Sequence, residues 1–227
     1  MRPNYTPIVL YIIATLVAFV VFVEIGGLVG YASHALPHLV LLVFWFNRVG
    51  SDYKLFSIAL IGYAITDLLT LHTETYSSIL TSVGAIISLS FLIWAFFKWR
   101  SGYAKRRAYV GLIVVIYGIG YFLLIEETIP QELLIPIGIY VALDALLFVV
   151  VSGMKLRNNF SYILCIIAVF IHLVSDGIYA YHFFVEPLII GEPIMGLMHS
   201  LSQGLFVIGI LSENQTPEYA YTGSTSK

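Results

Sequence analysis

Residues 84–107 read GAIISLSFLIWAFFKWRSGYAKRR, an apolar run that stops abruptly at Lys98, Arg100, Lys105, Arg106 and Arg107. A helix needs about 20 apolar residues to cross the hydrocarbon layer of a bilayer, and basic residues gathered just past its end mark the cytoplasmic side. The stretch therefore predicts a membrane helix and also the direction in which it points.

The rest of the chain agrees with this reading. Of its 227 residues, 59% are hydrophobic and 11% charged, with a mean hydropathy of +0.93, whereas soluble domains carry about 25% charged residues. An all-α integral membrane protein is the class that fits, because the apolar runs are long and lack the alternation of a strand barrel. A net charge of −2 supplies no basic field, so nucleic acid is not an expected partner. The single cysteine, Cys165, lies in an apolar run and reads as a packing residue. Arg2 ahead of the run Ile8–Val23 imitates a signal peptide. The run is longer than the usual core of about 7–15 residues and no small-x-small cleavage pattern follows, so a retained first helix is expected.

Dividing the chain at its polar and Pro/Gly breaks gives eight candidate spans, over 8–32, 35–49, 53–72, 76–98, 107–125, 131–153, 160–184 and 190–211. They form one transmembrane domain over residues 1–212. Residues 213–227, ENQTPEYAYTGSTSK, are polar and aperiodic and read as a disordered cytoplasmic tail. With eight spans, Arg2, Arg48, Lys54, the 98–107 cluster, Lys155, Arg157 and Lys227 all fall on one side. The opposite connections carry Glu74, Glu126, Glu127, Glu132, Glu186 and Glu192 and no lysine or arginine. The positive-inside rule then places both termini in the cytoplasm, whereas seven spans would break it. Trp45, Trp94, Trp99, Tyr103, Tyr109 and Tyr179 fall near predicted interfaces, where such rings anchor helices.

Inside the spans lie groups that lipid does not tolerate cheaply, at about 2.5–3.5 kcal/mol for a charge near the bilayer centre. Counting about 1.5 Å of rise per residue puts Asp67 and Asp144 near the midplane. Asp176, His199, Gln203, Glu24 and His38 lie from there outward. His172, Asp176 and Tyr179 share one helical face; Tyr140 and Asp144, and His199 and Gln203, make similar stripes. The stripes are expected to converge inside the bundle, with Asp67 and Asp176 as the functional carboxylates. Ser202, Gln203, Thr66 and Thr70 read more simply as helix-helix hydrogen-bonding residues, and Gly26, Gly27, Gly30, Gly118 and Gly120 as close-packing positions. His34 and His182 read as ordinary polar groups at span ends.

A metal is not expected. His172, Asp176 and His199 are acceptable ligand types, but no HExxH motif occurs and no HxxxH pair lies deep in a span. His34 and His38 have that spacing, at a position assigned to the membrane surface.

Two stretches resemble a known family. HLVSDGIYAYHFFVEPLIIGEPIMGLMHSLSQGLFVIGIL, residues 172–211, is similar to the carboxy-terminal signature of the YhhN-like lysoplasmalogenases, with Ser175 and Asp176 at its Ser-Asp and Ser202 and Gln203 where Ala-Gln is usual. IALIGYAITDLLTL, residues 58–71, is similar to the family's other signature and puts Asp67 at its aspartate, although Thr66 replaces a glycine. The fourth span lacks the family's His and Tyr, and Asp144 stands where an apolar or small residue is usual, as in a divergent member.

The resemblance implies an eight-span hydrolase that cleaves the vinyl ether of lysoplasmalogens to a fatty aldehyde and glycerophosphoethanolamine or glycerophosphocholine, with no cofactor. Asp67 and Asp176 would supply one protonated and one ionised carboxyl. Around them His172 would tune or relay protons, His199 and Gln203 would hold water or glycerol hydroxyls, and Tyr140 would reach the ether oxygen. Ser175, Asp144 and Glu24 complete the expected substrate and water site. The same buried carboxylates would also suit a proton-coupled or lipid transporter, and the histidines a metal-dependent lipid hydrolase.

Overall fold

Eight α-helices account for nearly all of the described residues. The computed structural model describes residues 6–25, 27–49, 53–69, 75–99 and 102–214. Its helices are α1 (Thr6–Ile25), α2 (Gly27–Val49), α3 (Lys54–Leu69), α4 (Thr75–Trp99), α5 (Lys105–Ile125), α6 (Gln131–Gly153), α7 (Asn159–Phe184) and α8 (Gly191–Asn214). Among the described residues, six of them (α1, α4, α5, α6, α7 and α8) contain stretches long and apolar enough to cross a membrane. At 16 residues α3 rises about 24 Å.

The first boundary differs from the sequence reading. The apolar pattern runs unbroken to residue 32, yet the chain turns at Gly27, whose φ of +55° suits a residue without a Cβ. Helix two therefore starts about two turns before the expected residue 35 and holds Pro37 inside it. Two short strands were also missed: β1 (Gly102–Tyr103) pairs antiparallel with β2 (Met154–Lys155), tying the α4–α5 and α6–α7 connections together at one end of the bundle. The last helix continues past residue 211, so Glu213 and Asn214 belong to α8 and not to a tail; the rest of the expected tail lies outside the described residues.

Consecutive helices pack against one another except α4 and α5; α4 lies against α6, and α8 also lies against α1 and α2. Close approach uses small residues: a Cβ on Gly204 would collide with the Tyr11 ring, and one on Gly62 with Ser88. Gly30 packs on Phe22 as expected, but Gly118 and Gly120 face open space. Trp45, expected at an interface, is wholly buried and its Nε1 donates to Ser57 Oγ at 2.8 Å. It joins Phe56, Leu92, Phe96, Met154 and Phe206 in the main apolar core. Outside the bundle, α5 presents Ile113, Ile116 and Leu124, a face whose chemistry suits lipid.

Candidate functional site

Five helices bring their polar side chains to one place. His38 from α2, Tyr63 and Asp67 from α3, Tyr140 and Asp144 from α6, Asp176 from α7 and His199 from α8 all line a single cavity of about 890 Å³. Most of the remaining wall is apolar, and α5 contributes Tyr117, Tyr121 and Phe122 to it. That volume lies within the roughly 300–1,000 Å³ of small-molecule sites.

The two expected carboxylates each have a partner. Asp67 Oδ2 lies 2.8 Å from His38 Nδ1, an imidazole that is nearly inaccessible. Asp176 Oδ2 accepts the Tyr140 hydroxyl at 2.9 Å. The hydroxyl expected to meet a substrate oxygen thus serves the carboxylate instead. Behind Asp176, and buried with no exposure at all, His172 points Nε2 at two carboxylates, 3.6 Å from Asp176 Oδ2 and 3.8 Å from Asp144 Oδ1. Both separations exceed a hydrogen bond.

Imidazole rings join the two carboxylate centres. His199 stands with its ring centroid 5.4 Å from that of His38 and 5.3 Å from that of His172. Tyr63 packs edge-on against His199 at 5.1 Å and against His172 at 6.1 Å. The arrangement is therefore a contiguous layer of imidazoles, phenols and carboxylates with Asp67 in one part of it and Asp176 in another.

Other expected site residues fall differently. Ser175 lines the cavity, but its hydroxyl donates to the Met195 carbonyl at 3.1 Å and so ties α7 to α8. Gln203 is fully buried beside the Tyr63 hydroxyl and forms no part of the cavity wall. Ser202 donates to the Ala168 carbonyl at 2.8 Å, the helix-helix role anticipated for it. Glu24 is a correction: it is exposed on α1 and away from the cavity, because α1 turns its Tyr11, Thr15 and Phe22 face inward instead.

His38 is the residue that sequence reasoning undervalued. The expected start of its span at residue 35 put it at the membrane surface, whereas the early start of α2 carries His38 well inside the helix. Tyr121, on α5, was not singled out either; it lines the cavity and donates to the carbonyl of Gly177, the residue after Asp176, at 3.1 Å.

Layer and core divide the bundle along its axis. In every helix of the site the residues toward the basic connections are packed and apolar: Trp45 beyond His38, Leu60 beyond Asp67, Val151 beyond Asp144, Ala168 beyond His172 and Phe206 beyond His199. Toward the acidic connections the cavity continues, past Ile125, Phe184 and Leu188 to Glu192. The site is a polar floor under an apolar chamber that extends toward the acidic connections. Compared with models of known families, with curated proteins and with solved structures, the chain matches none.

Proposed function

We propose that this protein is an intramembrane hydrolase acting on a single-chain lipid, and that the bond it cleaves is the vinyl ether of a lysoplasmalogen. The observation that carries the reading is the pair of carboxylates, Asp67 against His38 and Asp176 against Tyr140, at the floor of an apolar cavity. The resemblance of residues 58–71 and 172–211 to the lysoplasmalogenase signatures supplies the reaction.

In this scheme Asp67 gives its proton to the alkene carbon beyond the ether-bearing one, which leaves an oxocarbenium ion. Asp176, held as an acceptor by the Tyr140 hydroxyl, takes a proton from water as the water oxygen bonds to the cationic carbon. The resulting hemiacetal loses its hydroxyl proton as the bond to the glycerol oxygen breaks, the glycerol oxygen gains a proton, and fatty aldehyde is released. One water is consumed. The imidazoles of His38, His199 and His172 lie between the two carboxylates and return the proton from Asp176 to Asp67.

The apolar wall of the chamber suits an alkenyl chain. The packed apolar residues beyond the layer weigh against transport, which needs a path to both sides. In this reading all eight helices cross the membrane with both termini cytoplasmic, in a bacterial cytoplasmic membrane.

The test is aldehyde release from lysoplasmenylethanolamine by the detergent-purified protein. We expect wild type to release aldehyde and Asp67→Asn and Asp176→Asn each to lose about 100-fold or more, the lower range for a general acid or base. Full hydrolysis by either folded variant would overturn the assignment of that residue, and no release by folded wild type would overturn the reaction.

A further inference from the structure

We propose that His172, Asp176 and His199 form a binding site for a divalent transition-metal cation, zinc by its donor set, with the cavity side left open to water. One ligand atom from each of the three, all from α7 and α8, lies within 4.8 Å of the others. Two imidazoles and one carboxylate, with a fourth position for water, is a donor set of catalytic zinc sites.

The geometry supports a shared cation beyond mere proximity. Zinc sits about 2.0–2.2 Å from nitrogen and carboxylate oxygen, so ligand atoms about 3.6 Å apart subtend an angle of about 120° at the metal. His172 Nε2 and Asp176 Oδ2 are 3.6 Å apart. With the ring centre about 3 Å from the metal, two imidazoles at a tetrahedral angle have centroids about 5 Å apart. Those of His172 and His199 are 5.3 Å apart.

A second, independent observation points the same way. His172 is wholly inaccessible, and neither of its ring nitrogens makes a hydrogen bond. A buried ring nitrogen without a partner is unfavourable, whereas coordination would satisfy the one aimed between Asp144 and Asp176. The surroundings are those of a supported metal ligand set: the Tyr140 hydroxyl fixes Asp176 Oδ2 at 2.9 Å. His172 closes the back of the site, while Asp176 and His199 line the cavity, so the open position faces the chamber.

The proposal rests on and deepens the hydrolase reading. It changes two roles in that reading. The cation holds at Asp176 the water that adds to the oxocarbenium carbon, and the water's proton passes to Asp144, whose Oδ1 lies 3.8 Å from His172 Nε2. From there it returns to Asp67, the proton donor, after the glycerol leaves, so His172 and His199 serve as ligands and not as the relay. The sequence offers the three ligand types but not their meeting, because only the i, i+4 pair His172 and Asp176 lies on one helix. His199 is 27 positions beyond His172 and arrives only through the packing of α8 on α7.

The test is the zinc content of the full-length protein, purified in detergent, incubated with zinc and freed of excess, measured by elemental analysis beside zinc-dependent thermal unfolding. We expect about one zinc per chain and a raised Tm in wild type and in Glu24→Gln, which alters an exposed residue away from the site. His172→Ala, the milder His172→Gln and His199→Ala should lose both. Folded wild type with neither bound zinc nor a Tm shift would overturn the proposal, as would zinc retained in full by the folded histidine variants. Should those variants fail to fold, the wild-type zinc content and Tm shift decide it. Aldehyde release is scored separately: release by zinc-free protein overturns the metal's part in the reaction and leaves the hydrolase, while zinc binding without release leaves the metal site and overturns the vinyl ether reaction.

Discussion

At the scale of single residues the site turns on who partners whom. Tyr140 donates to Asp176 at 2.9 Å, and a hydrogen bond to a charged acceptor is worth about 1.5–3 kcal/mol. If the bond holds Asp176 ready to accept a proton, Tyr140→Phe should lower kcat by about 10- to 100-fold while the protein unfolds at much the same temperature. Steady-state aldehyde release measures this, and an unchanged kcat would mean that the phenol merely fills space. Sequence stripes foretold that Tyr140 and Asp176 would share the interior, because i, i+4 spacing fixes a face. They did not foretell that the two would bond to each other, since that depends on the relative rotation and height of α6 and α7. Glu24 shows the same limit: spacing put it in the outer half of its expected span, but the rotation of α1 decides whether its side chain meets the bundle or its surroundings, and it is exposed.

At the scale of elements, composition made the helices legible and left their joints obscure. The α6 span matches its expected bounds, since Pro130 and the polar Gln131–Glu132 start frame it. The α1–α2 joint was missed because its turn is made by glycine within an apolar run, and glycine there looked like packing. The joint between α6 and α7 has its own stabiliser that no local pattern announces: Glu213, at the far end of α8, accepts the backbone N–H groups of Arg157 at 2.6 Å and Asn158 at 2.9 Å. Asn158 in turn caps α7 by accepting from the Phe160 N–H at 2.9 Å. Glu213→Ala removes both acceptors and should lower stability by about 1–2 kcal/mol, in the range of lost helix caps. Glu213→Gln, which keeps an acceptor, should lose less. Unfolding in detergent reads the difference, and kcat should not change, because Glu213 lies about 21 Å along α8 from His199. Equal stability of all three proteins would mean that water replaces the carboxylate.

At the scale of the molecule, the asymmetry along the bundle axis gives the charge pattern of the connections a functional meaning. The packed core lies toward the basic end and the chamber extends toward the acidic end, so under the proposed hydrolase function the topology sets the side from which a headgroup would enter. Paired strands already hold two basic connections, 102–103 and 154–155, at one end. Eight crossings with both termini on that side require the α5–α6 and α7–α8 connections to face the other. The lone Cys165 is fully buried, so the native chain is a silent background for labelling with a membrane-impermeant maleimide. Lys105→Cys should react only after cells are permeabilised, whereas Glu127→Cys and Glu186→Cys should react in intact cells. Labelling of Lys105→Cys in intact cells would invert the orientation and place the acidic end of the chamber at the cytoplasm. Reaction of Glu127→Cys and Glu186→Cys from opposite sides would remove a crossing between them, and with it the even number of spans that keeps every basic connection on one side.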